Sequence, residues 1–130
     1  MQDQPAADEI LAAIAAFLRD TVMLKTDART AYQARVAVSA IELVRRQLEL
    51  GAAGEDAELE RLEILLGRRG DLAVLNAGLA AALASGAAGL STPGVLTHLH
   101  ATTLEKLRVD QPNYSGFLAA LEGPRHLEDI

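Results

Sequence analysis

No cysteine occurs in the chain, which excludes disulfides, thiolate nucleophiles and cysteine-ligated metals together. That usage is the one expected of a cytoplasmic protein. Tryptophan is also absent and aromatic residues make up only 3%. A core must therefore be assembled from Leu, Ile, Val and Ala, which suits closely packed helices. Positive charge is in deficit, with 12 Lys and Arg against 18 Asp and Glu and a net charge of −6. A duplex-binding protein needs a concentrated basic footprint. The basic pairs Arg45–Arg46 and Arg68–Arg69 instead have acids nearby, so no nucleic-acid partner is expected. The opening MQDQPAADEI is acidic and lacks the basic start and apolar centre of a secretory leader. A sustained apolar run is missing as well. Residues 72–97 carry no charge, but Asn76, Gly86, Gly89, Ser91, Thr92, Pro93 and Gly94 interrupt them. A membrane span needs about 20 predominantly apolar residues in succession, and none is expected here.

What the chain does contain is a hydrophobic half (50%) with 23% charged residues over 130 positions, enough for one packed domain. The expectation is a single helical domain over residues 1–121 with a flexible tail over residues 122–130. Every long apolar pattern has a helical period. From Pro5 to Met23, Ile10, Leu11, Ile14, Phe17, Leu18 and Val22 share one arc of a helical wheel. Asp8 and Glu9 fall in the opening turns, at the positive end of the helix dipole. A second helix is expected from about Ala28 to Leu50, stopping at Gly51, with an apolar arc broad enough to pack on two sides. GAAGED then reads as a loop. Glu55 to Leu66 reads as a short helix with Leu59, Leu62, Leu65 and Leu66 inward. Asp71 is expected to cap a helix whose stripe is Leu72, Leu75, Leu79 and Leu83, beside small residues Gly78, Ala82 and Gly86 at four-residue spacing. Ser91-Thr92-Pro93 has the form of a helix start, and that helix runs to about Val109. Past Pro112 a turn over Asn113–Gly116 and a short apolar piece, Phe117–Leu121, complete an all-α bundle of about five helices with a long central second helix.

The most polar stretch is TTLEKLRVDQPNYSG, residues 102–116. On the wheel Leu96, Leu99, Thr103 and Leu107 define an inward face, with Glu105 and Arg108 outside. Lys106 and Asp110 lie one turn apart at its edge, where such a pair contributes a few tenths of a kcal/mol. Gln111 before Pro112 is pushed out of helical conformation. Tyr114 can then fold back toward Lys106. The simpler reading is a helix terminus with a tyrosine needing a partner. The sharper one is a pocket for a small anionic ligand: Lys106 gives charge, Thr103 and Tyr114 give hydroxyls, and Asp110 orients the lysine. Arg35 is a further candidate contact, in a stripe with Tyr32, Ser39 and Glu42. His98-Leu-His100 resembles a metal pair, but residues two apart on a helix point apart. His98 is expected to face water and His100 to flank the leucines, so no metal site follows. No phosphate-binding glycine loop or assembled catalytic set is present. Neither a cofactor nor an independent enzymatic activity is expected.

The segments ADEILAAIAAFLRD, ARVAVSAIELVRRQLELG and HLHATTLEKLRVDQPNYSGF resemble a small bacterial all-helical family, a domain of unknown function. The resemblance covers residues 1 to 118, and its last segment is the most specific. Arg35, Arg45, Thr102, Thr103, Lys106, Asp110, Pro112 and Tyr114 match the family pattern, whereas Ser39 stands where an asparagine is typical. Members of that family are often encoded beside, or fused to, aminoglycoside-phosphotransferase-like kinases and near acyl-CoA dehydrogenases. The resemblance thus implies an accessory subunit for such a kinase and assigns no catalytic residue. Together these readings favour a non-enzymatic interaction module that pairs with itself as a dimer, with a phosphotransferase-like protein as a further partner. The contact would use the small-residue stripe or the broad face of the second helix. The alternative is a binding protein for a small acyl or phosphorylated anion at Lys106, Asp110 and Tyr114.

Overall fold

The computed structural model describes residues 3–123, and within them every regular element is helical and no strand occurs. The chain divides into two units, Met1–Gly51 and Ala52–Ile130. The tail expected over residues 122–130 lies outside the described residues from 124 onward.

In the first unit, α1 (Ala7–Phe17) continues through a π-helical turn, Leu18–Val22, into the single turn α2 (Met23–Lys25). Glu9 reaches back so that its Oε2 accepts the Ala6 N–H at 2.8 Å, satisfying a donor that the helix start leaves open. The apolar arc of α1 is divided. Ala15 is fully buried and Leu11, Leu18 and Val22 are half-buried, whereas Ile10, Ile14 and Phe17 are exposed. The inward set 11, 15, 18, 22 and the outward set 10, 14, 17 have the same period and lie side by side, so periodicity did not separate them. Asp27 then caps α3, its Oδ1 accepting the Thr30 N–H at 2.9 Å. The two hydrogen bonds involving Thr30 hold the Asp27 carboxyl below its ordinary range.

Helix α3 corrects one expectation. It does not stop at Gly51 but runs unbroken from Ala28 to Leu66, 39 residues, taking in GAAGED and the expected third helix. Glycine ends a helix when it turns left-handed, and neither Gly51 nor Gly54 has a positive φ. Each costs about 1 kcal/mol relative to alanine. The flanking Ala52, Ala53, Glu55 and Ala57 are good helix formers, and a ladder already nucleated propagates through them. The glycine that does end α3 is Gly67, at φ 65°.

In the second unit the leucine patterns read from the sequence meet as expected. Leu62, Leu75 and Leu79 form a buried cluster, packed around by Leu59, Leu65, Leu66, Leu72 and Leu83. This joins the end of α3 to α4 (Leu72–Ser85). Asp71 holds the N-cap position, but its carboxylate caps nothing; its backbone carbonyl accepts the Leu75 N–H at 2.9 Å. Gly78 is overlain by the side chains of Arg68 and Leu66, so part of the small-residue stripe is used in the unit's own packing. Helix α5 spans Val95–Asp110, and its start is also corrected. Gly94, left-handed at φ 90°, is the N-cap. Thr92 serves the preceding loop instead, its Oγ1 accepting the Gly89 N–H at 3.0 Å. Gln111 leaves helical geometry at φ −143°, as the following proline requires. The chain turns and forms α6 (Ser115–Glu122), longer than the expected apolar piece, with Phe117 buried. Among the described residues no helix is long and apolar enough to cross a membrane.

Candidate functional site

The polar chemistry of the second unit gathers where α5 faces the last turns of α3. On α5, Val95 and His98 are buried while Thr102 and Glu105 are half-buried. Their steps of three, four and three residues keep them on one helical face. Opposite stands Arg61 of α3. Its guanidinium grips Glu105 with both ends, Nη1 to Oε1 at 2.9 Å and Nη2 to Oε2 at 2.7 Å. Nη2 also donates to Thr102 Oγ1 at 3.1 Å. A two-point fork between guanidinium and carboxylate fixes orientation as well as charge. It holds the Arg61 pKa above its ordinary value, the Glu105 hydrogen bond outweighing partial burial. One turn earlier on α3, Glu58 Oε1 accepts from Asn76 Nδ2 of α4 at 2.9 Å.

His98 is only 3% exposed. Burial pushes its pKa below the ordinary 6.5 and the Arg61 charge adds to that, against Glu58 and Glu105. The imidazole is therefore neutral at neutral pH. Two buried atoms here have no hydrogen-bond partner, Arg61 Nε and His98 Nδ1. Both residues line a cavity of about 330 Å³ together with Thr97, Ile64, Leu65, Pro93 and Gly94. Ile64, Leu65 and Pro93 give that cavity an apolar wall, while the two unpartnered atoms themselves are closed to solvent.

The expected face of α5 is thus rotated. His98 is inward and His100 exposed, the reverse of the expectation; Leu96 and Thr103 are exposed, and Glu105 is inward and paired. Weighting the wheel by leucine misplaced it, because Arg61 makes a polar face the buried one. A signal was available: Thr102 and Glu105 share a face with Val95, and Arg61 precedes Leu62 on a helix whose inward leucines were already evident.

The residues picked from the sequence are not drawn into one cluster of bonds. Thr103 donates through Oγ1 to its own helix, at Leu99 O and 2.7 Å. Lys106 and Asp110 are exposed and form no ion pair with each other. The Tyr114 ring is 52% exposed and lies over Gly116, where an added Cβ would stand 2.7 Å from it. Arg35 belongs to the first unit, is exposed, and its carbonyl accepts from Ser39 Oγ at 3.2 Å. Arg45 and Thr102, singled out only by resemblance, have structural work. Arg45 ties α3 to the start of α1 through Asp8 at 2.8 Å and bonds Glu42 at 3.1 Å; the Arg45 hydrogen bond holds the Asp8 carboxyl below its ordinary range. Among the described residues no three side chains converge to hold a metal ion.

No curated protein and no solved structure matches the chain. A family model does, over residues 24–114, which takes in all of α3, α4 and α5 and with them the Arg61–Glu105 clasp. The chain belongs to that family, the domain of unknown function DUF6285.

Proposed function

We propose that the chain is a non-enzymatic interaction module whose first unit pairs with a second copy of itself along α3. One observation carries this reading. Among the described residues of the first unit the buried ones are Ala15 and Ala34, while large apolar side chains lie outside. Tyr32, Val36, Val44 and Leu48 are each more than two-fifths exposed, with exposed Ala40 continuing their four-residue spacing. Residues four apart form a ridge that packs into the groove of a like ridge. This one extends about 24 Å at the helical rise. Contiguous exposed apolar surface of this kind marks a contact face. The small-residue stripe of α4 is a weaker candidate, because Arg68 and Leu66 already cover Gly78. The phosphotransferase-like kinase implied by resemblance is the heterologous partner to offer the same ridge.

Sedimentation equilibrium tests the reading. The expected result is a concentration-dependent dimer that Val44→Glu converts to a folded monomer. A wild-type monomer throughout, with no binding to a purified phosphotransferase-like partner, refutes it.

A further inference from the structure

The exposed ridge of α3 has the same order of size and chemistry in both directions. Around Ala40, Val36 and Val44 stand four residues to either side, Gln33 and Gln47 seven, and Tyr32 and Leu48 eight. The ends are bulky, the flanks medium-sized and the middle small, with an amide at equal distance on each side. All of these residues are exposed. No charge falls among them. At 3.6 residues per turn, the charged residues that follow the first turn of α3 in this unit share a separate arc of about 100°. They are Arg35, Glu42, Arg45, Arg46 and Glu49. Arg45, on that arc, is tied to Asp8 and Glu42.

A surface symmetrical about its own midpoint is complementary to a second copy turned end for end. In a two-fold interface each contact occurs twice, residue i meeting j and j meeting i. With the axis at Ala40, Val36 meets the partner's Val44 and Tyr32 meets the partner's Leu48. Gln33 meets the partner's Gln47, and an amide side chain both donates and accepts. The single methyl of Ala40 lets the backbones approach where the two like ridges cross. A parallel arrangement would set each side chain against its own twin and make no use of the repeat about Ala40. The mixed charge on the far arc also differs from the basic face of a helix that lies on lipid. We propose that two copies join with their α3 helices running in opposite directions and a two-fold axis beside Ala40, so that Val36 packs on the partner's Val44 and Gln33 bonds the partner's Gln47. This register rests on the pairing through α3 proposed above and specifies its geometry.

The chain has no cysteine, so introduced thiols report the register against no background. Ala40→Cys, Val36→Cys, Val44→Cys and the double variant Val36→Cys/Val44→Cys of the full chain are oxidised and run on a non-reducing gel. Sedimentation equilibrium on the same samples, reduced, gives their association state. Ala40→Cys is expected to be converted mostly into a covalent dimer. Val36→Cys and Val44→Cys alone should cross-link about tenfold less, since two copies of either lie about 12 Å apart along the helix, past the roughly 7 Å between Cα atoms that a disulfide spans. The double variant should cross-link as readily as Ala40→Cys. A dimer in which Ala40→Cys stays uncross-linked, or in which Val36→Cys or Val44→Cys alone cross-links as readily, overturns the register and leaves the pairing standing. A chain that sediments as a monomer at every concentration overturns the self-pairing and the register with it.

Discussion

The two units are built on opposite plans, although one helix runs through both. In the second, leucines are fully buried and a guanidinium–carboxylate fork is half-sheltered beside a buried histidine. In the first, the buried side chains among the described residues are alanines, the Arg45 ion pairs are more exposed, and Ile10, Ile14, Phe17, Val36, Val44 and Leu48 lie outside. A unit with large side chains inside has its stabilisation within itself. A unit with alanine inside and isoleucine outside has most of its hydrophobic potential still unused, since burying such a side chain contributes roughly 1.5–3 kcal/mol. That difference is what supports the proposal that the first unit associates.

The strongest challenge to this contrast is truncation of matched residues. Leu75→Ala removes a fully buried side chain and should lower unfolding stability by about 2–5 kcal/mol. Leu48→Ala, on the exposed ridge of α3, should change it far less at concentrations where the chain is monomeric, and more where it is dimeric. Chemical denaturation at two protein concentrations measures both. Equal losses from the two substitutions would erase the contrast.

Ion pairs offer a finer comparison. Glu105→Ala strands Arg61 at a half-buried position and should cost on the order of 1 kcal/mol. Asp8→Ala, at the exposed Arg45 pair, should be nearly silent in the same denaturation assay. Comparable in size but opposite in sign is Gly51→Ala. An added Cβ there meets nothing within 4 Å and the backbone is helical, so thermal melting should show a gain of about 0.5–1 kcal/mol. A loss instead would mean that the residue needs its glycine conformation.

The smallest effect separates the halves by pH. The His98 pKa lies below 6.5 in the folded chain, so the unfolded chain binds more protons just under that value. Stability contributed by keeping His98 neutral is present above pH 6.5 and falls as pH drops through the folded pKa. Arg61, Glu58 and Glu105 are the charges that act on it, and His98→Gln should flatten the slope. Asp8 and Asp27 of the first unit lie below 3.8; their contribution is present above that value and is lost only as pH falls further. Acid titration of stability should therefore show the His98 step first.

How far the sequence discloses this molecule depends on whether one period has one meaning. The leucines at 59, 62, 65, 66, 72, 75, 79 and 83 had no polar competitor on their faces, and all are buried or packed against the buried set. On α1 two apolar stripes shared one period, and which would be buried depends on what each packs against. On α5 the buried face carries histidine, threonine and glutamate, readable only once Arg61 is known to sit opposite. Gly51 was misread for a related reason: glycine permits a helix to end, but the residues after it decide whether it does. Nothing in LRDTV announced the π-helical turn. Lys106, Asp110 and Tyr114 drew notice as chemically rich neighbours in the chain, while the clasp itself joins residues 44 apart.

Gly51 and Gly54 stand where one unit gives way to the other within a single hydrogen-bonded ladder. Each amide there is protected from solvent exchange only as well as the backbone around it resists opening, and glycine lowers that resistance. Deuterium uptake should consequently show a local maximum near residues 51–54 in the middle of α3. Fluctuations that unravel the N-terminal portion would terminate at this point and leave the downstream coil intact.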